Sequence, residues 1–205
     1  MTKSLVSLLL FIGISSSAFS QRQNAYFFNK KNIEVKDRDS AEYVRIVDEL
    51  DSESNLYPVK EYYIDGTKKS IGFSSRIIPP TYEGQYIEYR KGKKFKLANF
   101  SHGILSGNEY TYFSNGNLYS IVFYKEPVKG AVGNEEPSQI VQVNDSTGKE
   151  LVINGNGVAA FFDDSLKVVT DWGTVKDGLK DGKWEGTSSG GKLTYTEHYT
   201  NGKMI

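Results

Sequence analysis

Short runs of aromatic and β-branched residues alternate along this chain with clusters of glycine, asparagine, aspartate and serine. The clearest case is residues 107–124, where runs rich in Tyr, Phe, Ile and Val flank Asn115-Gly116. Asn-Gly accepts the positive φ angles of a tight primed turn, so this segment predicts a β-hairpin. Because the pattern recurs on both sides, we predict an all-β chain of consecutive hairpins in an extended, twisted antiparallel sheet.

The N-terminal part is predicted to hold strand-like segments at residues 25–28, 32–35, 42–47 and 57–64. Residues 43–47 are β-branched and few for a helix, but Asp39-Ser40 before them is typical of a helix cap, so a single helical turn remains an alternative. Asp65-Gly66 predicts another turn. Pro79 and Pro80 cannot donate a backbone N–H, and we place a soft boundary there.

Glycine recurs with a period near 24 residues from residue 82 onward, which fits one hairpin plus a return. The predicted repeat-turn glycines are Gly84, Gly92, Gly107, Gly116, Gly157, Gly182, Gly191 and Gly202. Since side chains alternate along a strand, Ile87 with Tyr89, and Tyr110 with Tyr112, should line one face of the sheet.

Residues 126–150 are the least regular part and begin as a surface loop. Strands are predicted at residues 139–143 and 150–153, around a polar hairpin loop at residues 145–148. The resulting divisions are an N-terminal hairpin region at residues 21–78, a first repeat block at 79–128, and a loop plus second repeat block at 129–205.

Residues 1–20 have the features of a secretory signal: a basic Lys3, an apolar stretch and small residues at Ala18 and Ser20. Cleavage is expected after Ser20, which predicts a secreted or periplasmic protein. No later stretch approaches the length of a membrane-spanning segment, so no span is expected after cleavage.

The composition narrows the chemistry. The chain has 25 basic and 25 acidic residues, which gives no electrostatic reason to bind nucleic acid. It has no cysteine, so disulfides and thiol chemistry are excluded, and packing and strand pairing must hold the fold.

His102 and His198 are the only histidines, the residue type that usually serves as a base at neutral pH, and neither lies in a nucleophile-elbow motif. A serine–histidine–aspartate set stays open on composition, but ordinary surface or packing histidines are favoured, and two distant histidines make a poor zinc site. We therefore expect no enzymatic activity, no cofactor and no metal site.

Two groups of acidic residues are candidates for Ca²⁺ binding. They are Asp163-Asp164 with Asp171, and Asn144-Asp145 with Glu150. Neither fits the spacing of an EF-hand loop, so turn-forming acidic residues are favoured.

Aromatic residues offer the best candidate binding surface. An exposed platform for glycan or peptide is one reading, and internal packing of the sheet is the favoured alternative. The candidate residues are Tyr86, Tyr89, Tyr110, Tyr112, Trp184 and Tyr195, with Tyr119 and Tyr124 as further members.

Several passages resemble MORN-like repeats of the YwqK-like antitoxin-component family. Residues 178–184, Gly-Leu-Lys-Asp-Gly-Lys-Trp, match the repeat opening, and residues 199–203, Tyr-Thr-Asn-Gly-Lys, match its ending. Residues 107–118 and 82–86 are further matches. The resemblance implies a row of hairpins and, by the family name, neutralisation of a protein toxin.

Residues 39–46, 56–63 and 145–157 together resemble the extracytoplasmic repeat region of TonB-like energy-transducer proteins, without their C-terminal domain. We therefore expect a non-catalytic interaction or scaffold module of the bacterial cell envelope. The alternatives are a toxin neutraliser, a glycan-binding module and, third, an envelope hydrolase. Residues 201–205 begin another return, so a protein partner or second copy is expected to add a strand at that C-terminal edge.

Overall fold

The alternating sequence pattern produces strands throughout the part of the chain that the structure describes. A computed structural model describes residues 24–127, 138–188 and 193–205, and these form one antiparallel sheet of 17 strands without a helix. The all-β prediction is confirmed, and residues 43–47 form a strand instead of a helical turn. None of the described segments is a helix long and apolar enough to cross a membrane.

The strands are β1 (Asn24–Phe28), β2 (Glu34–Val35), β3 (Tyr43–Val47), β4 (Tyr57–Tyr63), β5 (Lys68–Ser74), β6 (Tyr82–Arg90), β7 (Lys93–Ser101), β8 (Ile104–Leu105), β9 (Gly107–Tyr112), β10 (Leu118–Tyr124), β11 (Gln139–Asn144), β12 (Glu150–Ile153), β13 (Asn156–Phe162), β14 (Val169–Lys176), β15 (Leu179–Ser188), β16 (Leu193–Thr200) and β17 (Lys203–Met204).

Strand pairing follows chain order. β1 pairs with β2 and β3, and each later strand pairs with the next, β8 and β9 forming successive parts of the partner of β7. β5 pairs with β6 across Pro79-Pro80, so the sheet continues through the predicted boundary, and the division into blocks stays a prediction. The signal segment, Gly191 and residues 128–137 of the predicted loop lie outside the described residues.

Within the described residues, tight two-residue turns connect five hairpins. In each, a residue with φ between 49° and 54° precedes a glycine with φ between 74° and 79°. Two successive positive φ angles define the type I′ turn, whose twist matches that of the flanking strands. The turns are Lys91-Gly92, His102-Gly103, Asn154-Gly155, Asp177-Gly178 and Asn201-Gly202.

The hairpin at Asn115-Gly116 is confirmed, but its predicted primed turn is wrong. Of the two central residues only Gly116 has a positive φ, 95°, and its N–H donates to the carbonyl of Phe113 at 2.9 Å. The loop is therefore a three-residue connection closed by a glycine bulge. Asn115 instead uses its side chain, whose Oδ1 accepts the N–H of Asn117.

Two of the leading repeat glycines, Gly84 and Gly182, mark bulges. Gly84, Gly107 and Gly182 have φ angles of 65°, 69° and 67°. At Gly84 and at Gly182 the register gives the repeat strand two more residues than its partner, which bends the strand. Of the other predicted repeat glycines, Gly92 and Gly202 lie in type I′ turns, Gly116 in the three-residue loop and Gly157 in β13.

Alanine substitutions at two turn glycines distinguish the energetic cost of backbone strain from that of a steric clash. A Cβ at Gly92, φ 74°, would meet nothing within 4 Å, whereas one at Gly155, φ 76°, would lie 2.6 Å from the backbone nitrogen of Gly178. Gly92→Ala should therefore cost only the left-handed strain, about 1–2 kcal/mol. Gly155→Ala should lower the free energy of unfolding clearly further in urea titrations, and equal losses would contradict the clash.

The two faces of the sheet differ in burial. We call the face that carries Arg45, Val143 and Trp184 the inner face, and the opposite one, which carries Ile46, Leu97 and Trp172, the outer face; paired residues on neighbouring strands share a face. The buried core lies on the inner face of the C-terminal half and comprises Phe113, Tyr119, Ile140, Val143, Val152, Ala159, Val175 and Trp184.

The sheet curves toward its inner face. Tyr119 on β10 donates its hydroxyl to the carbonyl of Ala160 on β13 at 3.2 Å, although β11 and β12 lie between them. In a flat sheet, three strand spacings would separate these strands by about 14 Å. Arg90, which precedes the turn between β6 and β7, also bonds the carbonyl of Asp164 beyond β13. Curvature lets a single layer bury its own side chains.

Candidate functional site

A row of polar side chains crosses the inner face of the N-terminal strands. The residues are in direct register from strand to strand: Arg45, Glu61, Ser70, Glu88, Lys96, Thr111 and Ser120. The row continues into the core as Val143, Val152 and Val175. Along this row the inner face is therefore polar in the N-terminal strands and apolar in the C-terminal ones, and buried polar groups need partners.

A charge cluster occupies the start of the polar row. Both carboxylate oxygens of Glu61 are bonded: Oε1 accepts from Arg45 Nε at 2.9 Å and Nη2 at 2.8 Å, and Oε2 accepts from Lys69 Nζ at 2.5 Å and Ser70 Oγ at 2.9 Å. Glu61 is 2% exposed and Arg45 9%. Lys69 reaches the same face because the register between β4 and β5 shifts beside it.

The cluster carries one more positive than negative charge. Burial acts to raise the pKa of Glu61, but the ion pairs with Lys69 and Arg45 outweigh it, so this pKa lies below its usual range. Glu61 is therefore ionised at neutral pH, and it faces two cations. Of the described carboxylates, it is the one that pairs with either cation.

A cavity of about 530 Å³ opens above the cluster. Aromatic side chains form much of its wall, and the loop between β5 and β6 closes one side. The lining residues are Phe28, Asn32, Glu34, Tyr43, Arg45, Glu61, Lys69, Ile78, Pro79, Pro80, Tyr82 and Tyr86. This volume lies within the range typical of small-molecule sites.

The cations of the cavity lie against its rings. The Arg45 guanidinium carbon is 4.5 Å from the ring centroid of Phe28, and Lys69 Nζ is 4.0 Å from that of Tyr43. Such contacts are attractive because the ring face is electron-rich. The two rings also stack on each other, with their centroids 5.1 Å apart, so the cations and the rings form one packed group.

Tyrosines supply the opposite wall and its hydrogen-bond donors. The rings of Tyr82 and Tyr86 are 4.8 Å apart, and Phe100 packs against Tyr86 at 5.7 Å. Burial raises the pKa of Tyr86 to about 12 and raises that of Tyr82 as well. Both phenols therefore stay protonated and able to donate at any physiological pH.

Sequence reasoning did not find this site. Arg45 alternates with Tyr43 and Val47 on β3, and Glu61 follows Val59 on β4, so charged residues occupy positions that the alternation assigns to the buried face. That signal was present. Which residues meet across the strands depends on register, and a shift of one residue would send Arg45 to the outer face.

The predicted aromatic platform is divided between the two faces. Tyr89, Tyr110 and Tyr112 lie on the outer face. Ile87 with Tyr89, and Tyr110 with Tyr112, line one side as predicted, since Leu97 pairs with both Ile87 and Tyr110. Tyr86, Trp184 and Tyr195 lie on the inner face. Trp184 is 0% exposed and belongs to the core, as does Tyr119. A single platform of six aromatics is therefore not formed.

The two histidines lie apart in the topology. His102 is in the turn between β7 and β8, with its Nδ1 3.2 Å from the hydroxyl of the adjacent Ser101. The nearby Glu83 carboxylate accepts the backbone N–H of His102 and not its ring. His198 lies on the outer face of β16, opposite Lys183.

The acidic groups considered for Ca²⁺ shape turns. The carboxylate of Asp145 accepts the backbone N–H groups of Thr147 and Lys149, and that of Asp163 accepts those of Lys167 and Val168. The hydroxyl of Thr147, which also donates to Asp145, is the main reason that the pKa of Asp145 lies below its usual range, and the backbone N–H of Lys167 is the main reason for the lowered pKa of Asp163. Across the described ranges, no cluster of three or more His, Cys, Asp or Glu residues suited to a metal ion occurs.

No protein-family model matches this chain, and searches of the curated proteins and of the solved structures returned no significant match. The fold and the inner-face cavity rest on the geometry described above, and the resemblance to MORN-like repeats stays a prediction.

Proposed function

We propose that this chain is a non-catalytic β-repeat module, secreted or periplasmic, that binds a protein partner in the bacterial cell envelope. The outer face of the N-terminal strands supplies the contact surface. The observation that carries this proposal is an apolar row in direct register across seven strands: Ile46, Lys60, Ile71, Ile87, Leu97, Tyr110 and Ile121.

The row is apolar except for Lys60, which pairs with Asp48 at 2.6 Å. Each member is only half-buried, and Phe73 and Phe123 extend the patch with 41% and 38% exposure. All described strands belong to one sheet, so within the described residues no second sheet packs on this face. Contiguous exposed apolar surface of this kind marks interaction sites.

The dimensions suit a protein partner. Seven strands at about 4.8 Å spacing place the ends of the row about 30 Å apart. A standard interface buries roughly 800 Å² on each side, an area of similar width. The Tyr89, Tyr110 and Tyr112 side chains lie on this face and add the aromatic contacts that interfaces favour.

The test is capture from an envelope extract by the immobilised protein and by two matched variants. Leu97→Lys places a charge at the centre of the row, whereas Val158→Lys places one on the outer face of β13, at a side chain that is already 60% exposed. We expect a captured protein to be lost with Leu97→Lys and retained with Val158→Lys, both variants keeping the wild-type circular dichroism. Equal capture by all three, capture of glycan after protease treatment, or no capture would refute this proposal.

A further inference from the structure

We propose that the inner-face cavity binds a small ligand in which a carboxylate is joined to an aromatic or other flat apolar group. This site is separate from the outer face, so the proposal goes beyond the proposed function.

The base of the cavity carries an excess of positive charge, which favours an anionic ligand. Arg45 and Lys69 meet a single carboxylate, Glu61, at the base of the cavity. Glu34, the other carboxylate that lines the cavity, is exposed, so water solvates its charge. The Lys69 side chain is 25% exposed, so the excess positive charge faces the open cavity, where an anion can meet it. A monoanionic ligand balances the excess of one, whereas a metal ion would add to it.

The guanidinium of Arg45 has more hydrogen-bond donors than Glu61 uses. A guanidinium has five N–H donors, and Glu61 takes those of Arg45 from Nε and Nη2. Nη1 of Arg45 has no acceptor among the described residues and is not a fully buried atom, so a ligand in the cavity can bond it. The planar fork of arginine suits a carboxylate, and buried charge-assisted hydrogen bonds are the strong ones.

The wall of the cavity is largely aromatic, which favours a flat apolar group on the ligand. Tyr82 and Tyr86 face the cavity with Phe28 and Tyr43, and Ile78 is 43% exposed beside them. Aromatic walls favour offset stacking or edge contacts with a flat group. A ligand that joins both parts uses the cations and the rings together, and bare inorganic anions use only the first.

The probes are phenylacetate, its uncharged analogue phenylacetamide, acetate and inorganic phosphate, each titrated into the purified full chain by calorimetry. We expect saturable binding of phenylacetate and at least about tenfold weaker binding of phenylacetamide, acetate and phosphate. Equal binding of phenylacetamide would refute the charge argument, and equal binding of acetate or phosphate the aromatic one. Absence of phenylacetate binding would refute the proposal.

Two lysines of the inner face give a matched pair of variants. Lys69→Met removes a cation whose side chain is 25% exposed, and Lys96→Met removes one that is 30% exposed and pairs with Glu109, outside the cavity lining. Lys69→Met should weaken phenylacetate at least about tenfold, and Lys96→Met should leave it within about twofold. Equal effects would overturn the assignment.

Ile78→Ala, at the exposed rim, tests the wall without touching the charges and should weaken phenylacetate several-fold while leaving the melting temperature unchanged. Full retention of binding by this variant would remove Ile78 from the site and count against the apolar wall. Leu97→Lys on the outer face should bind phenylacetate like the wild type, so failure of the cavity and failure of the protein-binding surface are separable.

Discussion

Replacing Trp184 with alanine is expected to lower the free energy of unfolding by about 3–5 kcal/mol, the range for deleting a large buried aromatic. The indole is 0% exposed, stacks on Phe161 at 5.7 Å and donates its N–H to the carbonyl of Thr174 at 2.9 Å. It lies directly over Gly173, where any Cβ would approach the ring to 2.5 Å. Truncation would leave a cavity that a sheet backbone cannot close.

Trp172 provides the control, since the chain has two tryptophans and this one lies on the outer face with 37% exposure. Trp172→Ala should cost less than about half as much, because less apolar surface returns to water. Urea unfolding followed by far-UV circular dichroism measures both variants without relying on indole fluorescence. Equal losses would mean that Trp184 is not the centre of the core.

Replacing Glu61 with glutamine is expected to lower the free energy of unfolding at neutral pH by about 3–5 kcal/mol, because it leaves two cations without their counter-charge. Arg45 and Lys69 would then lie beside a neutral amide in a site that is 2% exposed at residue 61. The control is Glu185→Gln, which breaks an exposed pair with Lys183 and should leave the urea unfolding curve unchanged.

Acidity should test the same cluster. The pKa of Glu61 is lower in the folded protein than in the unfolded chain. As the pH falls, the unfolded chain therefore takes up this proton at a higher pH than the folded protein does. The stabilisation is complete above the unfolded value, about pH 4.3, and is lost as pH falls through the folded pKa. The stability difference between wild type and Glu61→Gln should therefore shrink below about pH 5. A difference independent of pH would contradict an ionised Glu61.

Local chemistry accounts for what could be predicted from the sequence. Asn154-Gly155, Asp177-Gly178 and Asn201-Gly202 carry the dipeptides that tolerate two positive φ angles, and each forms a hairpin turn. Lys91 and His102 adopt the same conformation without such a preference, and only the following glycine signals it. At Asn115-Gly116 the dipeptide identified the hairpin but not the turn type, since loop length depends on strand register.

The candidate site depended on long-range pairing. Arg45 and Glu61 are 16 residues apart and meet because β3 and β4 are in one specific register. Counting by two from Gly84 assigns Tyr86 and Tyr89 to opposite faces, yet only the strand register shows that Tyr86 shares a cavity with Tyr43 on a strand three pairings away. The sequence shows that charged residues occupy inward-facing positions, but it does not show which residues they pair with.

The C-terminal return is present in the structure. Lys203 and Met204 pair with Thr200 and Tyr199, and Ile205 donates its N–H to the carbonyl of His198. This pairing uses part of the edge at which strand addition was expected. Addition of a partner strand along the rest of β16 stays a prediction.

Pairing between chain neighbours has a consequence for how such a molecule can change length. From β3 to β7 each strand bonds to the next strand in the chain, so duplicating or deleting one hairpin there would alter two seams and leave every other ladder intact. A gene encoding this sheet can therefore grow or shrink by one hairpin at a time.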